Sequence, residues 1–194
     1  MTAFIMHYCK RIKQFLLLCL LATVATTALA GNSSMNIKSA ELVAQEDTYA
    51  LNADVDIKFS NEIEQAIIKG FELNFLVEFQ LFSPKKYWFD DEISTVTHEI
   101  TLSYHALSRQ YLLVQDGQQK TFVTLDEATD ELSDISNLKV LKKSAVEKGG
   151  SYKAVLLMRL DYKKLPKALQ VDKLGSDEWK ISSQRFEWTP SLFK

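Results

Sequence analysis

The sequence contains very little cysteine, proline or glycine. Of 194 residues, two are cysteine, three are proline and six are glycine. This composition excludes a disulfide-rich scaffold, a collagen-like chain and a low-complexity linker. Cys9 and Cys19 both lie within the first thirty residues. A chain that has lost this segment therefore has no thiol for a cysteine nucleophile or a zinc–thiolate site.

A hydrophobic run long enough to span a membrane is also missing. The N-terminus combines basic residues between Lys10 and Lys13 with an apolar run that ends in Ala28-Leu29-Ala30. This order is typical of a secretory signal peptide, so we predict cleavage after Ala30 and export of the chain. The alternative is a retained anchor, but Phe15 to Ala30 is only 16 residues long, and a span needs about 20.

The remaining chain carries little net charge. Without the three basic residues of the signal segment, 20 basic and 25 acidic residues remain, a formal charge of −5. Nucleic acids require a basic surface stripe, and anionic lipids attract basic segments, so we expect neither as a partner. A chain of this length can bury a core without crosslinks. We therefore predict one β-rich domain over residues 31–194.

Alternating apolar and polar residues dominate this domain. Apolar side chains fall on every second position of Tyr49–Phe59 and, more strongly, of Phe71–Phe82. A period of two residues indicates a strand with one buried face. Further strands are predicted at Ile37–Ala44, Glu92–Tyr104, Arg109–Gln115, Gln118–Thr124, Leu138–Leu141, Tyr152–Tyr162 and Trp179–Trp188.

Two short helices and one tight hairpin are predicted from local signals. Asn61–Lys69 has apolar residues at helical spacing, with Gly70 after its end. Asp116-Gly117 favours a type I′ turn between two strands. Thr124 and Glu127 form a capping box for a second helix. The apolar stripe of that helix comprises Leu125, Ala128, Leu132 and Ile135.

These elements indicate a mainly β fold. Long antiparallel strands joined by turns favour two packed sheets. We predict an antiparallel β-sandwich, an immunoglobulin-like two-sheet architecture, with two short helices. The alternative is a single curved antiparallel sheet with the helices packed on it, an α+β fold.

One segment brings three aromatic and three acidic side chains together, over residues 87–92. Such a cluster suits a binding platform, because rings can stack on a ligand while carboxylates accept hydrogen bonds. The alternative is an aromatic corner that packs against one end of the sandwich. Calcium binding at Asp90, Asp91 and Glu92 is disfavoured, because consecutive residues on a strand cannot all face one ion.

No constellation of residues indicates catalysis. His98 and His105 are the histidines of the predicted domain. A continuous strand would place them on opposite faces, which disfavours a metal site. The nucleophile-elbow, S-x-x-K and H-E-x-x-H motifs are absent. We therefore predict a non-enzymatic protein with no catalytic residues, no metal ligands and no cofactor.

Three segments resemble the DUF4390 family of exported proteobacterial proteins. They are residues 87–92 (YWFDDE), 102–111 (LSYHALSRQY) and 165–170 (LPKALQ). The resemblance covers about residues 37–188. The family pattern often has a second proline where this chain has Ala168, and arginines where it has Lys85 and Lys86. The family has no assigned activity, so the resemblance implies no catalytic residues. It implies a periplasmic protein whose gene lies beside a sensor-kinase pair.

We expect a binding or adaptor domain that contacts another envelope protein, with a sensor-kinase system as one partner class and a role in envelope signalling. At the corner after residue 103, a tyrosine hydroxyl could bond the backbone, or Arg109 could clamp a partner carboxylate. The candidate binding surface comprises Tyr87, Trp88, Phe89, Asp90, Tyr104, His105 and Arg109.

Two other functions remain open. One is a small-ligand carrier or sensor with an apolar cavity between the sheets. The other, less favoured, is a carboxylate-dependent envelope hydrolase, which needs two acids facing each other across a pocket. The predicted cavity is lined by Phe71, Phe75, Phe79, Leu156 and Met158.

Overall fold

A computed structural model describes residues 32–87, 89–167, 169 and 179–193. The predicted signal peptide, with its cleavage site and both cysteines, lies outside the described residues, and so does Trp88. None of the described helices is both long enough and apolar enough to cross a membrane.

Three strands form the smaller sheet. They are β1 (Ser34–Ala44), β2 (Thr48–Lys58) and β7 (Asp134–Lys142), in the order β1-β2-β7 and all antiparallel. β2 alternates buried and exposed positions over most of its length, which is the period of two that its sequence predicts. In this sheet β1 and β7 are therefore the edges.

Six strands form the larger sheet, in the order β6-β5-β4-β3-β8-β9 and again antiparallel. Its centre is the pair β3 and β4, which stay in register over most of β3. The strands are β3 (Leu73–Ser83), β4 (Asp91–His105), β5 (Gln110–Gln115), β6 (Gln118–Phe122), β8 (Lys153–Leu160) and β9 (Phe186–Trp188).

The two helices begin at the predicted caps. In α1 (Asn61–Ile68) the Ser60 hydroxyl accepts from the Ile63 amide, and Gly70 follows with φ of +86°. In α2 (Leu125–Ser133) the Thr124 hydroxyl accepts from the Glu127 amide at 3.2 Å. The Glu127 carboxylate accepts from the Thr124 amide in return. These paired bonds satisfy amide donors that have no partner within the helix.

Both sheets contribute to one hydrophobic core. On β3 the side chains of Leu73, Phe75, Val77, Phe79 and Leu81 are all fully buried, and their even-numbered neighbours are half-buried. Burying an aromatic or branched side chain stabilises the fold by about 1.5–3 kcal/mol. The same core includes residues of β1, β2 and β7, so the sheets are joined by shared apolar packing.

The predicted mainly β architecture, with two antiparallel sheets and two short helices, is confirmed among the described residues. The Asp116-Gly117 hairpin is also confirmed, with φ of +50° and +74°. Three boundaries were wrong. The strand predicted at Leu138–Leu141 is longer and spans Asp134–Lys142. Ile135 belongs to β7 and not to the stripe of α2, because it pairs with Ala53 of β2. The strand predicted at Trp179–Trp188 is reduced to Phe186–Trp188 and a single bridge at Ser182.

Candidate functional site

The candidate binding residues lie at opposite ends of β4. The loop that carries Tyr87, Phe89 and Asp90 precedes β4, whereas Tyr104 and His105 end it and Arg109 lies in the following turn. A strand of fifteen residues extends about 45–50 Å. The six candidate residues that the structure describes therefore cannot line one pocket, and each end has to be considered by itself.

The first end is an exposed aromatic loop, residues 84–90 between β3 and β4. Tyr87 is 88% exposed and Phe89 is 95% exposed. The predicted alternative, an aromatic corner packed against the end of the sandwich, is therefore wrong for both of these rings. The Phe89 side chain thus forgoes the roughly 1.5–3 kcal/mol that burial would contribute.

Polar contacts close the base of the aromatic loop. The Lys85 amide donates to Asp90 Oδ1 at 3.2 Å, and the Lys85 ammonium forms a salt bridge with Asp91. The Lys86 ammonium lies 5.6 Å from the centre of the Tyr87 ring, a cation–π contact. Asp90 and Asp91 of the predicted cluster therefore help to hold the loop, while the rings of Tyr87 and Phe89 are exposed.

At the second end, side chains of β4 contact side chains of the following turn and of β5. The rings of Tyr104 and Tyr111 lie 4.9 Å apart, tilted by 51°. His105 Nδ1 and the Ser108 hydroxyl lie 3.0 Å apart within the turn. Arg109 is exposed and adopts a φ of +54°, a conformation uncommon outside glycine. Clamping of a partner carboxylate by Arg109 stays a prediction.

The tyrosine corner predicted at Tyr104 is not found among the described residues. Its hydroxyl makes no recorded bond to backbone, and the residue is held by the neighbouring ring instead. Backbone bonds to tyrosine hydroxyls occur elsewhere: the Glu147 amide donates to Tyr152 at 2.8 Å and the Phe193 amide donates to Tyr49 at 3.3 Å. A hydrogen bond between backbone and a tyrosine hydroxyl is therefore found at Tyr152 and Tyr49, and not at Tyr104.

Two ionisable side chains of the larger sheet have shifted pKa values. Burial raises the pKa of the Tyr111 hydroxyl, and the nearby Tyr104, Glu64 and Asp126 raise it further. On β9, a hydrogen bond from Lys153 lowers the pKa of the exposed Glu187 carboxylate. The raised value belongs to the packed end of β4, where a charged phenolate would be poorly solvated.

His98 and His105 are not neighbours in the fold. His98 is 6% exposed on the inner face of β4, with Nδ1 at 3.3 Å from Asp116 Oδ1. Its Nε2 is buried and has no recorded hydrogen-bond partner. His105 lies seven residues further along a continuous strand, about 23 Å away. Within the described residues, no group of three or more His, Cys, Asp or Glu side chains is arranged to hold a metal ion.

Open clefts follow the free edge of β7. One of about 560 Å³ lies beside Val96, Thr97 and His98 of β4 and residues 136–139 of β7. A second, of about 410 Å³, lies beside Ile93 and Ser94 and residues 139–142. Lys139 lines both clefts. Neither is lined by the side chains of the predicted ligand cavity, of which Phe75, Phe79, Leu156 and Met158 are fully buried and Phe71 is half-buried.

A third cleft, of about 190 Å³, brings acidic side chains together. Asp116, Glu131 and Asp134 line it. Glu131 forms a salt bridge with Lys120, and the side chain of Asp116 is 71% exposed. Hydrolysis by two carboxylates uses one acid whose pKa is raised by a protected environment. The exposed Asp116 and the ion-paired Glu131 do not match this requirement.

The free edges beside β4 and β7 were not predicted from the sequence. A signal for one of them was present, because the predicted strand Glu92–Tyr104 is much longer than its hairpin partner Arg109–Gln115. A long strand beside a short one must leave part of its edge unpaired. No comparable signal marks β7, whose predicted length of four residues was too short.

The described strands and loops define a class: a mainly β domain of two antiparallel sheets that share one core and present an exposed aromatic loop. The chain belongs to the DUF4390 family, a domain of unknown function, whose pattern matches residues 32–189. The resemblance drawn from the three sequence segments is thus confirmed. No curated protein and no solved structure matches the chain.

Proposed function

We propose that this protein is an exported, non-enzymatic binding or adaptor domain that contacts another envelope protein through the aromatic loop. The observation that carries the proposal is the exposure of Tyr87 and Phe89, 88% and 95%, on a loop closed at its base by Lys85. Aromatic side chains are enriched at protein interfaces and dominate their binding energy. A loop that is already ordered loses less conformational entropy on binding.

Export enters this proposal from the N-terminal sequence, and a periplasmic location enters it from the family resemblance. The basic residues, the apolar run and the Ala28-Leu29-Ala30 end are the support for a cleaved signal peptide. The family resemblance supports a sensor-kinase system as the partner class, and hence a role in envelope signalling. A small-ligand carrier is less well supported, because the side chains expected to line its cavity are core residues.

Site-specific crosslinking tests the proposal. A photoreactive amino acid replaces Phe89 or, as a matched control, Leu107, which is 92% exposed at the opposite end of β4. In cells that make the protein naturally, the Phe89 probe should crosslink to one envelope protein, and the Leu107 probe should not.

Two results would contradict the proposal. Lipid adducts alone from the Phe89 probe, with binding of the purified protein to phospholipid vesicles, would mean that the loop meets a membrane surface. Equal crosslinking from both positions would mean that the loop has no specific partner. The partner identified in this way should also lose binding to the Phe89→Ser variant, which leaves the core intact.

A further inference from the structure

The outer face of the larger sheet, which points away from the core, carries apolar side chains of its own. Four of them follow the boundary between β3 and β8, because pairing sets Leu157 opposite Glu78 and Val155 opposite Gln80. Val155 is 3% exposed, the other three are half-buried, and none is among the residues that form or flank the core. We call these four side chains the outer stripe. Its members are Leu76, Phe82, Val155 and Leu157.

The described helices do not cover the outer stripe. Both α1 and α2 bury their apolar side chains in the core, which lies on the inner face of the sheet. Lys164, in the short helical turn after β8, reaches the rim of the outer face, where its ammonium lies 2.6 Å from the Glu99 carboxylate. In the described part of the chain, the outer stripe therefore has neighbours within its own sheet and no second layer above it.

The outer face of the smaller sheet has a different composition. Its central strand β2 presents Asn52, Asp54, Asp56 and Lys58 there, as expected for the face of an antiparallel sheet that contacts water. An apolar stripe in the middle of a face, with charged side chains around it, is instead typical of a surface that packs against another protein.

The charged side chains around the outer stripe are paired with each other. Arg159 of β8 donates to the Glu78 carboxylate of β3 from both Nε and Nη2, at 3.0 and 2.6 Å. Two further ion pairs lie at the rim of the face, Lys164 with Glu99 and Lys153 with Glu187. Within these pairs the charges cancel, although the domain as a whole has a formal charge of −5. Two copies can therefore approach through this face without the repulsion that their net charge imposes elsewhere.

We propose that the outer stripe packs against the outer stripe of a second copy of this chain and forms a symmetric homodimer. A two-fold axis that runs along the stripe places β3 of each copy over β8 of the other. Glu78 of one copy then lies near Arg159 of the other, and Leu76 lies near Leu157. An axis across the strands would instead stack β3 on β3 and bring the two Glu78 carboxylates together, which their like charges oppose.

The size of the face fits a second copy. Four strands of each copy, β4, β3, β8 and β9, overlap in this arrangement. With about 4.8 Å between strands and about 3.3 Å per residue, a face as long as the eleven residues of β3 covers about 700 Å². Stable interfaces bury about 600–1,000 Å² per partner, so we expect a dimer in the micromolar range.

The dimer goes beyond the proposed function and does not depend on it. A two-fold axis parallel to the strands leaves both copies pointing in the same direction. The aromatic loop joins the ends of β3 and β4, so the two loops of the dimer lie at one end. One dimer thus offers two binding loops, which raises its avidity for a partner that is itself dimeric.

Sedimentation equilibrium of the purified protein, from about 1 to 100 μM, tests the proposal. The natural protein should be a dimer at the upper end of this range. Leu76→Asp and Leu157→Lys should each weaken dimerisation on the order of a hundredfold, because a symmetric dimer buries the added charge twice. Glu78 and Arg159 cannot neutralise it, since they pair with each other. Leu107→Asp, which changes an exposed leucine away from this face, is the matched control and should leave the dimer unchanged.

A mixture of two variants tests the position of the two-fold axis. Equal amounts of the Leu76→Asp and Leu157→Lys proteins should dimerise again, because the axis brings the acid of one copy beside the base of the other. Urea unfolding shows whether each variant retains its fold. Leu76→Asn and Leu157→Gln, which add no charge, replace any variant that fails to fold, and should weaken dimerisation on the order of tenfold.

Three results would overturn the proposal: a natural protein that stays monomeric up to about 100 μM, a dimer that the outer-stripe variants weaken no more than Leu107→Asp does, or a mixture that dissociates as readily as its components. A monomer whose β3 and β8 amides exchange more slowly once the envelope protein found by the Phe89 probe is bound would assign the outer stripe to that protein. The binding function would then stand, and only the homodimer would fail.

Discussion

The two ends of β4 carry similar side chains and use them in opposite ways. At the end of the strand, Tyr104 packs on Tyr111, and His105 is bonded to Ser108. Before its start, Tyr87 and Phe89 contact no other described ring and are almost fully exposed. At one end two aromatic rings pack on each other, and at the other the rings of Tyr87 and Phe89 are left to solvent.

This difference shows why composition alone does not identify a binding surface. Both segments are aromatic and charged, and both belong to the segments that carry the family resemblance. Only the loop before β4 combines exposed rings with a closed base and with free strand edges next to it. The packed end makes contacts within the domain, and the exposed end is the one on which the proposed binding function rests.

The largest expected effect compares two phenylalanines. Phe75→Ala should lower the free energy of unfolding by about 3–5 kcal/mol, because its ring is fully buried beside Phe59. Phe89→Ala should change it by no more than about 0.5 kcal/mol. Urea denaturation of both variants measures this. A similar loss at both positions would mean that the aromatic loop packs against the domain.

A smaller effect concerns the coupling between rings at each end. A double-mutant cycle of Tyr104→Ala and Tyr111→Ala should give a coupling free energy of about 0.5–1.5 kcal/mol. The matched cycle of Tyr87→Ala and Phe89→Ala should be additive within about 0.3–0.5 kcal/mol. Coupling of the same size in the second cycle would remove the distinction between a packed end and an exposed end.

The smallest expected effect appears at alkaline pH. The pKa of Tyr111 is raised in the folded protein, so above about pH 10 the unfolded chain loses this proton first. Stability that is fully present below pH 10 is then lost as the pH rises towards the folded pKa, by at most about 1.4 kcal/mol per pH unit.

Tyr111→Phe removes this proton, so its unfolding free energy should decline less steeply than that of the natural protein above pH 10. Urea denaturation across an alkaline pH series measures the two slopes. Tyr87→Phe is the matched control from the exposed end and should follow the natural protein. If the unfolding free energies of Tyr111→Phe and of the natural protein declined equally with pH, the raised pKa of Tyr111 would be contradicted.

Local signals predicted most of the fold. The period of two residues located β2 and β3, Asp116-Gly117 located the hairpin, and the Thr124 capping box located the start of α2. Each of these signals depends on residues that are neighbours in the chain. The mainly β class follows from them, because no long segment of the domain has a helical period.

Long-range pairing accounts for what the sequence did not predict. The apolar stripe of α2 continues to Ile135, but pairing with Ala53 places that residue in β7. The exposure of Phe89 could not be predicted from the sequence either, because an aromatic residue before a strand can turn towards the core or away from it.

The order of the strands along the chain has a consequence for folding. β7 completes the smaller sheet by pairing with β2, and β8 joins β3, with Phe75 opposite Leu160. A chain that emerges from its N-terminus can form local hairpins early, but the smaller sheet is not finished until residue 142 is free, and the larger sheet is not finished until residue 188 is free. Such distant pairing makes folding slow. During that interval the unfinished β-hairpins are open to aggregation, which a chaperone bound to the nascent chain would prevent.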